Sequence, residues 1–327
     1  MVKRYFCTHF DVNYLPHAKS LAESLIKVSP TSVLFAFCMD DESYNILLSD
    51  TPRNIRLIHF SKLETIFPDL LIAKSNRSRI EYFYTCSPSI CYYVLTQMGF
   101  IEEITYLDAD LYFFNSPEPI FHEIKNSSVG IIEHKFSFFT KRNRIYGNFN
   151  VGWITFKKNS NGMACLNSWR EKCINWCYQR LEDDKYADQK YLDFWQRDFD
   201  GVDVIKNIGA NLAIWNISNY KISFKDDMVY VDNELLIFYH FANLKQINFN
   251  TFKTDLSRVF VSCKGVIRDH IYFPYVVSIT KHKIKDNLIV AKEDRKVSLY
   301  NLLFKQTTRI VRQILFPDLI KISNDKK

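Results

Sequence analysis

Glycine and proline are scarce, at 8 and 9 of 327 residues, which excludes fibrous and low-complexity architectures. No stretch approaches the roughly 20 apolar residues that a membrane-spanning helix needs. There is no Gly-x-Gly-x-x-Gly and no P-loop, so the usual dinucleotide and ATPase loops are missing. The opening residues, Met1-Val2-Lys3-Arg4-Tyr5-Phe6-Cys7-Thr8, lack the apolar run and small-residue cleavage site of a secretory signal. A cytoplasmic location is therefore expected. Cys7, Cys38, Cys86 and Cys91 sit in apolar runs and read as core thiols. Cys173 and Cys177 have helical spacing beside Trp169 and Trp176. With no second pair at ligand spacing, helix packing is favoured over a zinc site.

What is present is enough for a large core. Hydrophobic residues make up 47% and aromatics 16%, which argues against disorder. The length suits one large α/β domain with an appendage, or two modest domains. The net charge of +7 is uneven, and the chain from Lys281 onward is visibly basic. Nucleic acid and an anionic membrane surface are the two readings of such a tail. A nucleic-acid binder needs basic and aromatic residues interleaved on one face, and concentration of charge in the tail argues against it.

The chain is organised around Ile104-Thr105-Tyr106-Leu107-Asp108-Ala109-Asp110-Leu111-Tyr112-Phe113-Phe114. Read as one buried strand, it points Asp108 and Asp110 the same way. Two adjacent carboxylates raise each other's pKa unless a cation lies between them. A divalent metal at the strand end is one explanation, and a turn capped by two Asp residues is the other.

The rest of the chain alternates strand and helix patterns. Strands are expected at residues 3–9, 32–38 and 55–60, with helices at 17–28 and from Asp40 through Leu48. Such spacing predicts βαβ units and a mostly parallel sheet. Ligands in such sheets bind at the carboxyl ends of strands, where Asp11, Asn13 and Tyr14 fall together with Asp108 and Asp110. Lys74, Arg77 and Arg79 form a solvated face or reach a diphosphate. A long helix over 81–98 is expected to break near Pro88.

Beyond the Asp pair, a strand is expected at 129–134. Gly147-Asn148-Phe149-Asn150-Val151-Gly152 then offers either sugar-hydroxyl partners or a hairpin turn. A Trp-rich helix at 162–180 precedes Asp188-Gln189-Lys190. A strand over 235–241 carries His240, a structural residue or a third metal ligand. An amphipathic helix over 298–316 either packs on the domain or lies on an anionic bilayer.

In that order, the strand-1 turn, Tyr106-Leu107-Asp108-Ala109-Asp110, Asn148-Phe149-Asn150-Val151-Gly152, Asp188-Gln189 and His240 resemble GT-A nucleotide-sugar glycosyltransferases. The likeness is to glycosyltransferase family 8 and to bacterial nucleotide-diphospho-sugar transferases, over residues 3–245. The resemblance implies an α/β GT-A fold: a Rossmann-like catalytic domain over 1–250 and a basic, helical C-terminal extension over 251–327.

It also implies roles for residues. Asp108, Asp110 and His240 would hold Mn²⁺ or Mg²⁺, with Asp108 also near the ribose. Thr8, Asp11, Asn13, Tyr14, Arg79, Asn150 and Lys245 would serve the nucleotide and donor, and Asp188 with Gln189 the anomeric carbon. Residues 241–244, Phe-Ala-Asn-Leu, lack the Gly that approaches the phosphates in that family. The implied reaction moves a sugar from a nucleotide-sugar, UDP-linked by preference, with retention, to a glycan or lipid-linked acceptor in bacterial lipopolysaccharide or capsule synthesis. Work at the cytoplasmic face of the membrane would suit the tail. The alternatives are a sugar nucleotidyltransferase, disfavoured because 11–16 has no Gly-rich basic loop, and a non-catalytic glycan- or membrane-binding module on a transferase scaffold.

Overall fold

The computed structural model describes residues 3–49, 51–52, 54–283 and 312–322. The strands of its first two thirds are β1 (Tyr5–Phe10), β2 (Val33–Cys38), β3 (Ile55–His59), β4 (Glu103–Leu107), β5 (Leu111–Phe113), β6 (Val129–Glu133), β7 (Phe149–Lys157), β8 (Val202–Ile205) and β9 (Leu212–Ala213). Seven of them form one sheet in the order β3-β2-β1-β4-β7-β6-β8. All neighbours are parallel except those of β7, which runs antiparallel to β4 and β6. The central strands are buried on both faces, which explains their unbroken apolar runs.

The helices between them cover both faces: α1 (Leu15–Val28), α2 (Asp41–Leu48), α3 (Phe60–Ile66), α4 (Asp69–Asn76), α5 (Arg79–Gln97), α6 (Glu118–Glu123), α7 (Ser160–Asn175) and α8 (Trp195–Asp198). Strand alternation sorts the core. Phe6 and Phe10 pack under α1, whereas Cys7 packs under α5. α5 does not break at Pro88; it runs on through it for 19 residues, started by a capping box of Ser78 and Glu81. α7 ends at Asn175, short of the expected Arg180.

A second, smaller sheet sits beside the first. After β10 (Ile222–Lys225), β11 (Met228–Val231) and β12 (Glu234–Leu235) form a meander, β13 (Phe238–His240) pairs antiparallel with β5 and parallel with β9. The strand expected over 235–241 is thus divided between two sheets. The Asp-x-Asp run is also divided: β4 ends at Leu107, residues 108–110 turn, and β5 leaves for the second sheet. Strand alternation is therefore not what brings Asp108 and Asp110 together. Trp153, fully buried on β7, joins the sheets; its indole stacks on Phe238 at 5.5 Å and meets Phe6 and Phe121 edge-on or tilted.

The later chain closes over β13. β14 (Lys245–Asn248) pairs with β15 (Thr251–Lys253) across residue 250, and β16 (Leu319–Lys321) extends that sheet. A π-helical turn, Ile267–Tyr272, leads into α9 (Phe273–Lys281). α9 lies against α1, with Tyr275 hydroxyl and His17 Nδ1 2.6 Å apart and Phe241 stacked on Tyr275 at 3.8 Å. The amphipathic helix read over 298–316 lies outside the described residues except for 312–316. Of the basic stretch from Lys281, residues 281–283 and 312–322 are described.

Trp153→Ala removes the side chain that couples the sheets. We expect a stability loss of roughly 3–5 kcal/mol, read by denaturant unfolding. A loss under about 1 kcal/mol would show that the sheets are held together elsewhere.

Candidate functional site

The carboxyl ends of β1 and β4, the amino end of β7 and the carboxyl end of β13 meet at one edge of the molecule. Because β7 is antiparallel, its first residues reach the same edge as the last residues of its neighbours. The register between β5 and β13 sets Leu111 opposite His240, and Phe241 N–H donates to Asp110 O at 3.0 Å. Consequently one side-chain atom from each of Asp108, Asp110 and His240 lies within 4.8 Å of the others. His240 Nε2 is 3.1 Å from Asp110 Oδ1 and 3.6 Å from Asp108 Oδ2.

The imidazole is held in one tautomer. His240 Nδ1–H donates to Asn150 Oδ1 at 3.2 Å, leaving Nε2 to face the carboxylates. Asn150 Oδ1 also accepts from Gly152 N–H at 3.1 Å, and its Nδ2 lies 3.4 Å from His134 Nε2. His134 Nδ1–H donates to Asn148 O at 3.0 Å. Burial pushes His134 down to about 3 against that hydrogen bond, so its Nε2 is free to accept. Gly152 is required by space: a Cβ there would lie 2.5 Å from Asn150 Oδ1 and 2.8 Å from the His240 ring.

The charges are arranged for a cation. Burial pushes Asp108 up to about 6, with His240 opposing and Asp110 adding to the shift. Burial also works against Asp110, but His240 outweighs it and holds Asp110 below its ordinary value. Burial lowers His240, and the two carboxylates more than restore it. Two carboxylate oxygens and an imidazole nitrogen that can give up its proton to a metal fit a divalent cation of the Mn²⁺ or Mg²⁺ kind.

This cluster lies in a cleft of about 540 Å³ that also takes in Asp11, Tyr14, Arg79, Asn150, Asp188 and Gln189. Arg79, from the start of α5, ion-pairs with Asp11 and lies 3.8 Å from Asp40. Asp188 is 4% exposed. Burial pushes it up to about 8, opposed by a hydrogen bond with Ser87 and reinforced by Asp108. Ala187, in left-handed backbone with φ 47°, turns the chain just before it, and Trp169 Nε1–H ties Asp188 O at 2.8 Å. Gln189 Nε2–H donates to Tyr146 O at 3.1 Å.

Three expected residues are not brought into the cleft. Thr8 shares the buried face of Phe6 and Phe10. Asn13 is turned back to donate to Asp11 Oδ2 at 3.3 Å. Lys245 is exposed on β14. Of the basic trio only Arg79 lines the cleft; Lys74 pairs with Glu64, and Arg77 bonds Ile174 O and Tyr178. Sequence reading missed Tyr84, Ser87, Tyr106, His134 and Trp215, all cleft residues. Tyr106 O–H donates to Asp108 Oδ1 at 2.9 Å, and Trp215 sits edge-on to His240 at 5.0 Å. Aromatics in apolar runs look like core, so only His134, opposite the Asn-rich stretch, carried a usable signal.

The sheet order, the second sheet and an Asp-x-Asp turn closed by a histidine define an α/β protein of the GT-A glycosyltransferase fold. The galactosyltransferase LgtC, solved with donor and acceptor sugar analogs, shares that fold with a TM-score of 0.52 at 14% identity, over 89% of this chain and 98% of LgtC. No model of a known protein family matches the chain. It belongs to the family of the uncharacterized proteins YfnD and YfnF of Bacillus subtilis (strain 168). It is 32% identical to YfnD over 253 residues, 76% of this chain and 79% of YfnD. It is 32% identical to YfnF over 256 residues, 76% of this chain and 84% of YfnF.

Asn150→Ala leaves His240 free to rotate and to change tautomer. Mn²⁺ affinity is expected to fall roughly 10- to 100-fold by calorimetry while the fold persists. Asp188→Asn tests the buried carboxyl. Its pKa is higher in the folded than in the unfolded chain, so its contribution is complete at low pH and is lost between about pH 4 and about pH 8. The Asn variant should match the parent's Tm near pH 4 and exceed it by at least about 2 °C near pH 9.

Proposed function

We propose that the chain is a metal-dependent glycosyltransferase that moves a sugar from a nucleotide-sugar, UDP-linked by preference, to a glycan or lipid-linked acceptor in bacterial surface polysaccharide synthesis. The observation that carries this is the Asp108–Asp110–His240 cluster, its tautomer set by Asn150, at the ligand-binding edge of a GT-A sheet. Residues 1–250 would supply the donor site, and residues 251–327 the acceptor side.

In this reading Asp108, Asp110 and His240 hold Mn²⁺ or Mg²⁺, whose charge would offset the negative charge that builds on the leaving diphosphate. Asp11 and Tyr14 line the part of the cleft suited to the nucleoside. Arg79 is 64% exposed and close to two carboxylates, so its guanidinium can swing from Asp11 to a phosphate oxygen. Lys245 would have to move to reach the diphosphate. Gln189, with its amide tied to Tyr146 O, can keep its carbonyl oxygen oriented toward an electron-poor anomeric carbon. Buried His134 and Trp215 form an aromatic wall behind Asn150 and His240, which would limit water at the transfer.

Retention of anomeric configuration is the first reading, because it asks for no strong base. One observation favours inversion instead: burial brings Asp188 to about 8, a value suited to taking the proton of an acceptor hydroxyl. The coupling constant of the product's anomeric proton decides between the two.

Calorimetric titration of UDP, with and without Mn²⁺, tests the proposal. Binding that requires Mn²⁺ and falls at least about 10-fold in Asp110→Ala is the expected result. Absence of UDP binding in either condition removes the UDP reading. Absence of binding and of hydrolysis for all nucleotide-sugars tried leaves a non-catalytic scaffold. Release of diphosphate from a nucleoside triphosphate and a sugar phosphate would instead make it a nucleotidyltransferase.

A further inference from the structure

Between Glu133 and Glu171 the chain contains no Asp and no Glu. One part of it, residues 138–146, reads Phe-Phe-Thr-Lys-Arg-Asn-Arg-Ile-Tyr and stands on the surface. Phe138 is 73% exposed and Phe139 48%, and the 3-10 turn Lys141–Tyr146 has no buried residue. Lys141 Nζ lies 4.5 Å from the Phe138 ring centre. Among the described residues, the side chains of Arg142 and Arg144 have no ion pair and no hydrogen-bond partner.

The apolar surface continues beyond the turn. Phe139 packs at 4.8 Å on Phe260, itself 45% exposed, and Phe260 meets Phe316 edge-on at 5.6 Å. At its other end the turn is anchored to the cleft, since Tyr146 O accepts from Gln189. An exposed aromatic patch that remains unburied in a chain with ample core marks an interaction surface.

Charge selects the partner. Apolar rings interleaved with unpaired cations, and no anion among them, suit a bilayer whose headgroups are negative: rings enter the headgroup boundary while Lys and Arg meet phosphates. A second copy of the chain suits it poorly, because the face would meet its own positive charge. We propose that residues 138–146, together with Phe260, are the face by which this protein docks on an anionic lipid bilayer. This sets the Gln189 side of the cleft against the membrane surface. The inference concerns binding alone and does not depend on the transferase reading.

The test is sedimentation of the full chain with vesicles of phosphatidylcholine, alone or mixed with phosphatidylglycerol. Binding to the anionic vesicles, weakened by salt, is expected. The double variant Arg142→Ala and Arg144→Ala should weaken it about 25-fold, at about fivefold per cation. Phe138→Ser should weaken it without altering the thermal melt. The proposal is overturned if the parent binds neither vesicle, or binds both equally. It is overturned also if the double variant binds as tightly as the parent, which would move the contact to the basic C-terminal residues. A dimer that these variants dissolve, with no vesicle binding, would make the face a protein interface instead.

Discussion

The antiparallel register between β5 and β13, with Leu111 opposite His240, brings two carboxylates and an imidazole within 4.8 Å at the edge of a buried sheet. Two carboxylates that close repel strongly, and one imidazole facing them answers only part of that charge. The chain accepts this cost and then fixes the geometry with neutral groups. Asn150 locks the histidine, His134 locks Asn150, and Asn148 locks His134. A one-residue slip between β5 and β13 would turn His240 to the other face and leave the carboxylates unanswered.

Packing makes that register hard to change. Trp153 fills the space between the two sheets, next in sequence to Gly152, whose missing side chain admits the His240 ring. Phe238, which stacks on Trp153, lies two residues before His240 on the same strand. The aromatic core and the polar site are thus built from close neighbours on the same two strands. α9 reinforces them from outside, with Tyr275 stacked on Phe241 and close to His17. A segment far along the chain therefore supports the strand that carries the site histidine.

The cleft divides its electrostatics by place. At the Asp108–Asp110–His240 cluster, two carboxylates face one imidazole. At Asp188 the environment is different: among the described residues no cation pairs with it, and burial dominates. On the surface turn tied to Gln189 the sign reverses, and residues 138–146 carry cations without any anion. A site organised this way sets a cluster fit for a cation apart from a buried carboxyl.

Much of the fold was legible because strands and helices announce themselves locally. Apolar runs gave β1 to β3, helical periods gave α1 and α2, and the alternation of the two implied a parallel sheet. Pro88 misled, because a proline's missing hydrogen bond is outweighed where the helix is packed on both sides of it. Asp108, Asp110, Asn150, Asp188 and His240 were legible as residue types in order. Thr8, Asn13 and Lys245 stood in the same stretches but do not line the cleft, because strand alternation and turn geometry choose a side chain's direction residue by residue. Tyr106 and Trp215 were invisible, since an aromatic lining a cleft and one filling a core have the same sequence signature.

By itself, then, the sequence determined the elements and the chemical inventory: which strands form, and which acids, amides and imidazoles stand near their ends. The tertiary structure alone decided that the Asp pair lies on a turn, that one end of the second sheet meets it, and which nitrogen of His240 faces the carboxylates. Those outcomes rest on contacts between residues some 90 to 130 positions apart, such as Asn150 with His240 and Leu111 with His240. Local propensity carries no record of such pairings, which are set by loop closure and packing of the whole chain.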